Sequence, residues 1–183
     1  MKYRLGIYIF LLLAALGCTN QQDCENSDVE NFKSFINLEP DTHEKDLPAI
    51  LGPFTSGTYT GDQSGFIYGF YAIEDAPLNV VVNSATSQVM LISLEILSTG
   101  DDMNKDMQAV AAQFHISDCD MRFFGMTQDE LTEDFGKPSK NEKLKGDIQS
   151  LTYHAKDYKT TINFKFYPEQ DNLCTSVMVE WKY

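Results

Sequence analysis

Near its C-terminus the chain alternates apolar and polar residues with a period of two. In "KTTINFKFY", Ile162, Phe164 and Phe166 point one way and Asn163 and Lys165 the other. In "LCTSVMVEW", Leu173, Thr175, Val177, Val179 and Trp181 share a face. Strands with one apolar and one polar side belong to an antiparallel sheet packed on one face only. Further runs rich in β-branched and aromatic residues, "SGFIYGFYAI", "LNVVVN", "SQVMLISLEIL" and "IQSLTYHA", read as additional strands.

Helical spacing precedes each group of strands. Val29, Phe32, Phe35 and Ile36 follow the cap candidates Ser27 and Asp28, and Pro40 ends that helix. A second short helix, "HEKDLPAILG", carries Leu47, Ile50 and Leu51 and closes at Gly52. Later, "DDMNKDMQAVAAQFH" sets Met103, Met107, Val110, Ala111 and Phe114 on one face. In "TQDELTEDFG", Thr127 and Glu130 form a capping box, Leu131 and Phe135 an apolar i, i+4 pair, and Gly136 a left-handed stop. Pro138 then turns the chain out as an extended segment. Helix, helix and strands thus occur twice, and placing Gly52 on Gly136 brings Leu47 onto Leu131 and Val89 onto Leu173. The order predicts an α+β fold of two tandem helix–helix–antiparallel-sheet repeats, residues 27–98 and 99–183, with helices on one sheet face and the other face exposed.

The N-terminus bears on location. Lys2 and Arg4 precede the apolar run "LGIYIFLLLAALG", which is too short to span a bilayer as a mature helix. Ala14, Ala15 and Gly17 lead directly into Cys18, as in a lipoprotein signal peptide. That pattern predicts cleavage after residue 17 and acylation of Cys18 (palmitate or a similar chain), with residues 18–26 as a polar linker. More than one acyl chain anchors a protein stably. Thr19 is not the aspartate that retains such proteins on an inner membrane, which favours the outer membrane.

Removing the two cations of the leader takes the formal net charge from −13 to −15. An acidic body without clustered cations excludes nucleic acid as a partner. With Cys18 acylated, Cys24, Cys119 and Cys174 remain, and Cys119–Cys174 is the expected disulfide because Cys24 sits in the linker.

Motifs for chemistry are weak. "GKPS" is no phosphate loop, since Pro138 separates Lys137 from Ser139 and Gly136 ends a helix instead of starting one. Asp102, Asn104 and Asp106 alternate like calcium ligands, but Met107 and Gln113 stand where glycine and glutamate are needed. Acids at a helix N-terminus account for the same residues. His115, Cys119 and His154 could serve an envelope hydrolase or a metal-dependent enzyme only if the fold gathered them in one cleft. No metal or other cofactor is expected.

"GMTQDELTEDFGKPS", residues 125–139, resembles the opening motif of small outer-membrane lipoproteins of the SmpA/OmlA type and is similar to repeats of beta-lactamase inhibitor proteins. The first half of the chain lacks the Gly-Met-Thr of that motif. The resemblance implies a non-catalytic, lipid-anchored envelope protein that binds another envelope protein through an aromatic-rich sheet surface, either in envelope assembly or as an inhibitor. Phe66, Tyr68 and Phe70, with Tyr153 as the counterpart of Tyr68, are the candidate contacts. Ile67, Tyr71 and Ile73 make the opposite side of that strand apolar too, so the sequence leaves open which set faces outward. A small-ligand carrier with a groove between sheets is the third class.

Overall fold

Eight strands form one antiparallel sheet in the order β1-β2-β3-β4-β8-β7-β6-β5. The computed structural model describes residues 29–71, 76–156 and 159–182. The strands are β1 (Ser56–Tyr59), β2 (Gly65–Tyr71), β3 (Pro77–Asn83), β4 (Val89–Glu95), β5 (Lys140–Lys143), β6 (Gln149–His154), β7 (Thr160–Phe166) and β8 (Cys174–Trp181). Among the described residues four helices accompany them: α1 (Leu47–Leu51), α2 (Gly100–Phe114), α3 (Asp118–Met121) and α4 (Gln128–Phe135). The predicted leader, the linker and Cys18 lie outside the described residues.

The alternation of side chains selects the packed face. One row of cross-strand partners runs Tyr68, Val80, Ile92, Val179, Ile162, Tyr153. Its neighbour runs Phe70, Leu78, Leu94, Val177, Phe164, Leu151. All these residues except Tyr68 are buried, and with Met103, Val110, Phe114, Phe123, Leu131 and Phe135 from the helical layer they form one core. The reverse face is polar over β6 and β7. There Asn163 Nδ2 donates to Ser150 Oγ and Thr152 Oγ1, both at 2.8 Å.

This arrangement corrects the expected pair of tandem repeats. Leu91–Glu95 of β4 pair directly with Ser176–Glu180 of β8, so the strands make one continuous sheet. Nor is the helical cover repeated. α2 has 15 residues and α4 has eight, with the capping box of Thr127 and Glu130 formed on both sides. Among its described residues the first half supplies only the five-residue α1 and two three-residue 3₁₀ turns.

The helix expected around Phe32–Ile36 gives way to a tight turn. Phe35 and Leu38 exchange backbone hydrogen bonds of 2.9 and 3.0 Å around Ile36 and Asn37, whose φ values are 53° and 59°. A β-branched residue with positive φ is costly, and distant partners hold it there. The Ile36 N–H donates to buried Asp120 Oδ2 at 3.0 Å. Asn37 Nδ2 donates to the carbonyls of Phe114 and His115 at 3.2 and 3.0 Å, capping the end of α2. Tertiary hydrogen bonds thus override local helical spacing.

The Gly125–Lys140 segment owes its pattern to structure. Gly125 has φ 85° and pairs through its backbone with Cys174, whose own N–H donates to Met126. Gly136 ends α4 with φ 81°, and its carbonyl accepts from the Tyr153 hydroxyl at 3.1 Å.

A candidate aromatic site at the β1–β2 edge

The unequal helical cover creates the site. Tyr153 and Tyr68 stand at opposite ends of the same core row. Phe135 of α4 packs on Tyr153 at a ring separation of 5.3 Å, leaving it 3% exposed. α1 is too short to do the same over β2, so Tyr68 is only partly buried and the apolar face continues outward as a chain of rings. Phe54 meets Tyr68 edge-on at 5.1 Å, Tyr68 lies 4.6 Å from Phe66, and Phe66 meets Tyr59 edge-on at 4.8 Å. Phe54 and Tyr59 are 50% and 64% exposed. Edge-to-face contacts of this kind stabilise a cluster beyond its buried area.

Gly57 allows the cluster to lie close to β1. A Cβ there would come within 2.6 and 2.8 Å of the Phe66 ring. Beside the rings, His43, Glu44, Lys45, Leu47, Pro48, Phe54, Tyr68 and Ser87 enclose a cleft of about 410 Å³. Its outer wall is stitched to the sheet, for Glu44 N–H donates to the Ser87 carbonyl and Val89 N–H to the Thr42 carbonyl, both at 2.9 Å. The Tyr68 hydroxyl donates to Glu44 Oε1. Burial, reinforced by the Glu44 carboxylate, pushes the Tyr68 phenol up to about 12. The result is a fixed apolar platform with one oriented carboxylate at its inner end.

Of the sequence candidates, Phe66 and Tyr68 belong to this platform. Phe70 and Tyr153 do not: they are 1% and 3% exposed and serve the core. Phe54 and Tyr59 were missed, because nothing in the sequence marks a ring as uncovered. The Cys119–Cys174 disulfide does not form. Cys174 is a free, fully buried thiol, and Cys119 is disulfide-bonded, so the two are not joined. A bulge between Lys165 and Phe166 sets Cys174 opposite Phe166 on the core face.

His115, Cys119 and His154 are not assembled into a cleft. His115 ends α2 on the helical side, whereas His154 alternates with core-facing Tyr153 and shares its Nδ1 with Thr161 Oγ1 at 3.0 Å on the reverse face. Among the described residues no three His, Cys, Asp or Glu side chains are grouped to hold a metal. "DDMNKDM" lies within α2, with Asp102 paired to Lys105 at 2.7 Å, so it is not a calcium loop.

The fold is similar to the crystal structure of a DUF4309 family protein, YjgB, from Bacillus subtilis, with TM-score 0.50 and 13% identity over 85% of this chain and 99% of that one. A cysteine-rich secretory protein from Staphylococcus aureus is similar at TM-score 0.45 and 10% identity, covering 78% of this chain and 44% of that one. An extracellular protein containing an SCP domain from Bacillus anthracis is similar at TM-score 0.43 and 8% identity, with the same coverage of 78% and 44%. No family model and no curated protein sequence matches the chain. At these identities the likeness to YjgB bears on the fold alone.

Proposed function

We propose that this chain is an exported, lipid-anchored bacterial envelope protein that works by binding another envelope protein, without catalysis, through the aromatic platform of Phe54, Tyr59, Phe66 and Tyr68. The observation that carries the reading is the exposure of Phe54 and Tyr59, at 50% and 64%, on rings packed edge-to-face against a rigid sheet. Rings held this way lose little conformational freedom on binding and are common anchors of protein interfaces. Export and anchoring rest on the leader ahead of Cys18, and outer-membrane placement on Thr19. The resemblance of residues 125–139 to SmpA/OmlA-type lipoproteins and to inhibitor repeats is compatible with a role in envelope assembly and with inhibitor-like binding. The separation of His115 from His154 supports binding over hydrolysis.

The test is photo-crosslinking from positions 54 and 59 in the native envelope, in parallel with a Phe54→Ala/Tyr59→Ala variant carrying the crosslinker elsewhere on β1. A crosslinked species that the double variant loses supports the platform. Recovery of the same species from both proteins, or of none from either, refutes it.

A further inference from the structure

The sheet ends differently on its two sides. β5 and β1 are both edge strands of four largely exposed residues, so length distinguishes neither. β5 reads "KNEK" and carries Lys140 and Lys143, ion-paired at 2.7 Å to Glu142 and Asp147 respectively. Charges of that kind keep a foreign strand from adding to an edge. β1 reads "SGTY", with no charge, no proline and an unbroken register with β2. Among the described residues no strand pairs with its outer side.

The ladder fixes which backbone groups β1 offers. Thr60 N–H donates to the Gly65 carbonyl at 3.0 Å, in register with the β1–β2 pairs. Alternation along an antiparallel ladder then turns the hydrogen-bonding groups of Ser56 and Thr58 toward β2, and those of Gly57 and Tyr59 outward. Gly57 and Tyr59 also lie on the platform face, opposite Tyr68 and Phe66. The Phe66 ring covers Gly57, where a Cβ would meet it at 2.6 Å, and so reaches the edge itself. A strand laid along β1 would gain the outward N–H and C=O groups of both residues. It would also set every second side chain against Phe66 and Tyr59. Resting on the platform reading above, we infer that the partner docks as an extended segment, apolar at alternate positions, which adds to the outer edge of β1 as a further strand. A helix would cover the rings but make no use of the edge donors and acceptors. A second copy of the chain is disfavoured, because the pairing would bring two bodies of formal net charge −13 edge to edge.

The test places a benzophenone photo-crosslinker at position 54 of the full chain in its native envelope. It compares that protein with Ser56→Lys/Thr58→Lys and with Ser56→Gln/Thr58→Gln. Both positions are exposed and stand opposite Gly69 and Ile67 on the reverse face, so the rings are untouched. The lysine variant gives β1 the guard that β5 has. It is expected to lower the crosslinked yield by at least roughly tenfold, while the glutamine variant keeps it. In the purified crosslinked complex, hydrogen exchange of the Gly57 and Tyr59 amides is expected to slow by at least roughly tenfold relative to the free chain. Edge amides that exchange as in the free chain, or a crosslink that the lysine variant retains, overturn strand addition and leave the platform standing. A crosslinked species of twice the chain's mass overturns the assignment to a different protein. No crosslink from the unaltered chain overturns the platform and this inference with it.

Discussion

Gly57→Ala tests the aromatic platform without dismantling the fold. The new Cβ would sit 2.6 and 2.8 Å from two Phe66 ring atoms, while carbon atoms in contact need about 3.5–4.0 Å. The ring must therefore retreat by roughly 1 Å, against present centroid separations of 4.8 Å to Tyr59 and 4.6 Å to Tyr68. Each aromatic pair contributes about 0.5–1.5 kcal/mol, so disturbing both costs about 1–2 kcal/mol in cluster energy. Replacing a strand glycine returns roughly 0.5–1 kcal/mol. The net change in stability is expected to be about 1 kcal/mol or less, read from urea unfolding, because the ring is the free end of a side chain and Gly57 itself lies on the exposed edge strand β1. Binding should respond far more. Partner crosslinking from position 59 is expected to fall by about tenfold, since anchor residues at interfaces carry about 2 kcal/mol or more. Ring-proton shifts of Tyr59 and Tyr68 in the NMR spectrum report the geometry independently. Unchanged ring shifts would refute the packing argument, and moved rings with unchanged crosslinking would refute the role assigned to them.

Leu131→Ala should cost about 2–5 kcal/mol by chemical denaturation, because the side chain is fully buried between α4 and the sheet. Asn37→Ala should cost about 1–3 kcal/mol, from two lost bonds to the end of α2 and an alanine in a left-handed position, and Asn37→Asp should not restore the donor. Tyr68 and Tyr167 are both held up to about 12, by burial first and then by Glu44 and Glu95 respectively. Their protonated forms are favoured by folding, so this stability is fully present below the ordinary phenol value near 10 and is lost as pH rises through 12. Absorbance titration at 295 nm should show late-ionising tyrosines, with one fewer in Tyr68→Phe. Cys174 should resist a thiol reagent at pH 8 in the native protein and react once unfolded, since burial pushes its thiol well up and leaves no access.

The inner strands were legible because burial of one face writes a period of two into β3, β4, β6, β7 and β8. β1 and β5 were not, since "SGTY" and "KNEK" lie at the sheet edges, almost wholly exposed, where no apolar pattern is imposed. The caps and stop of α4 depend on residues within one turn of one another, and so could be read. The Phe35–Leu38 turn depends on Asp120, Phe114 and His115, far along the chain, and could not. The site was half legible for a similar reason. Phe66 and Tyr68 announce themselves as aromatic strand residues, but their exposure follows from what is missing above them. The place of Cys174 was hidden for the same reason, since a bulge that no local pattern announces sets it opposite Phe166 in the core.

The β4–β8 seam has a consequence for how the molecule comes into being. β1 through β4 are consecutive antiparallel strands and can pair as soon as they exist. β4, however, has its second partner only in β8, the last of the eight strands in chain order. Until then Leu91–Glu95 offer an open, apolar strand edge, and closing it requires the longest loop between paired strands of the sheet. Sheet completion is therefore the late, slow step, and the interval before it is when the chain is open to mispairing with its own copies.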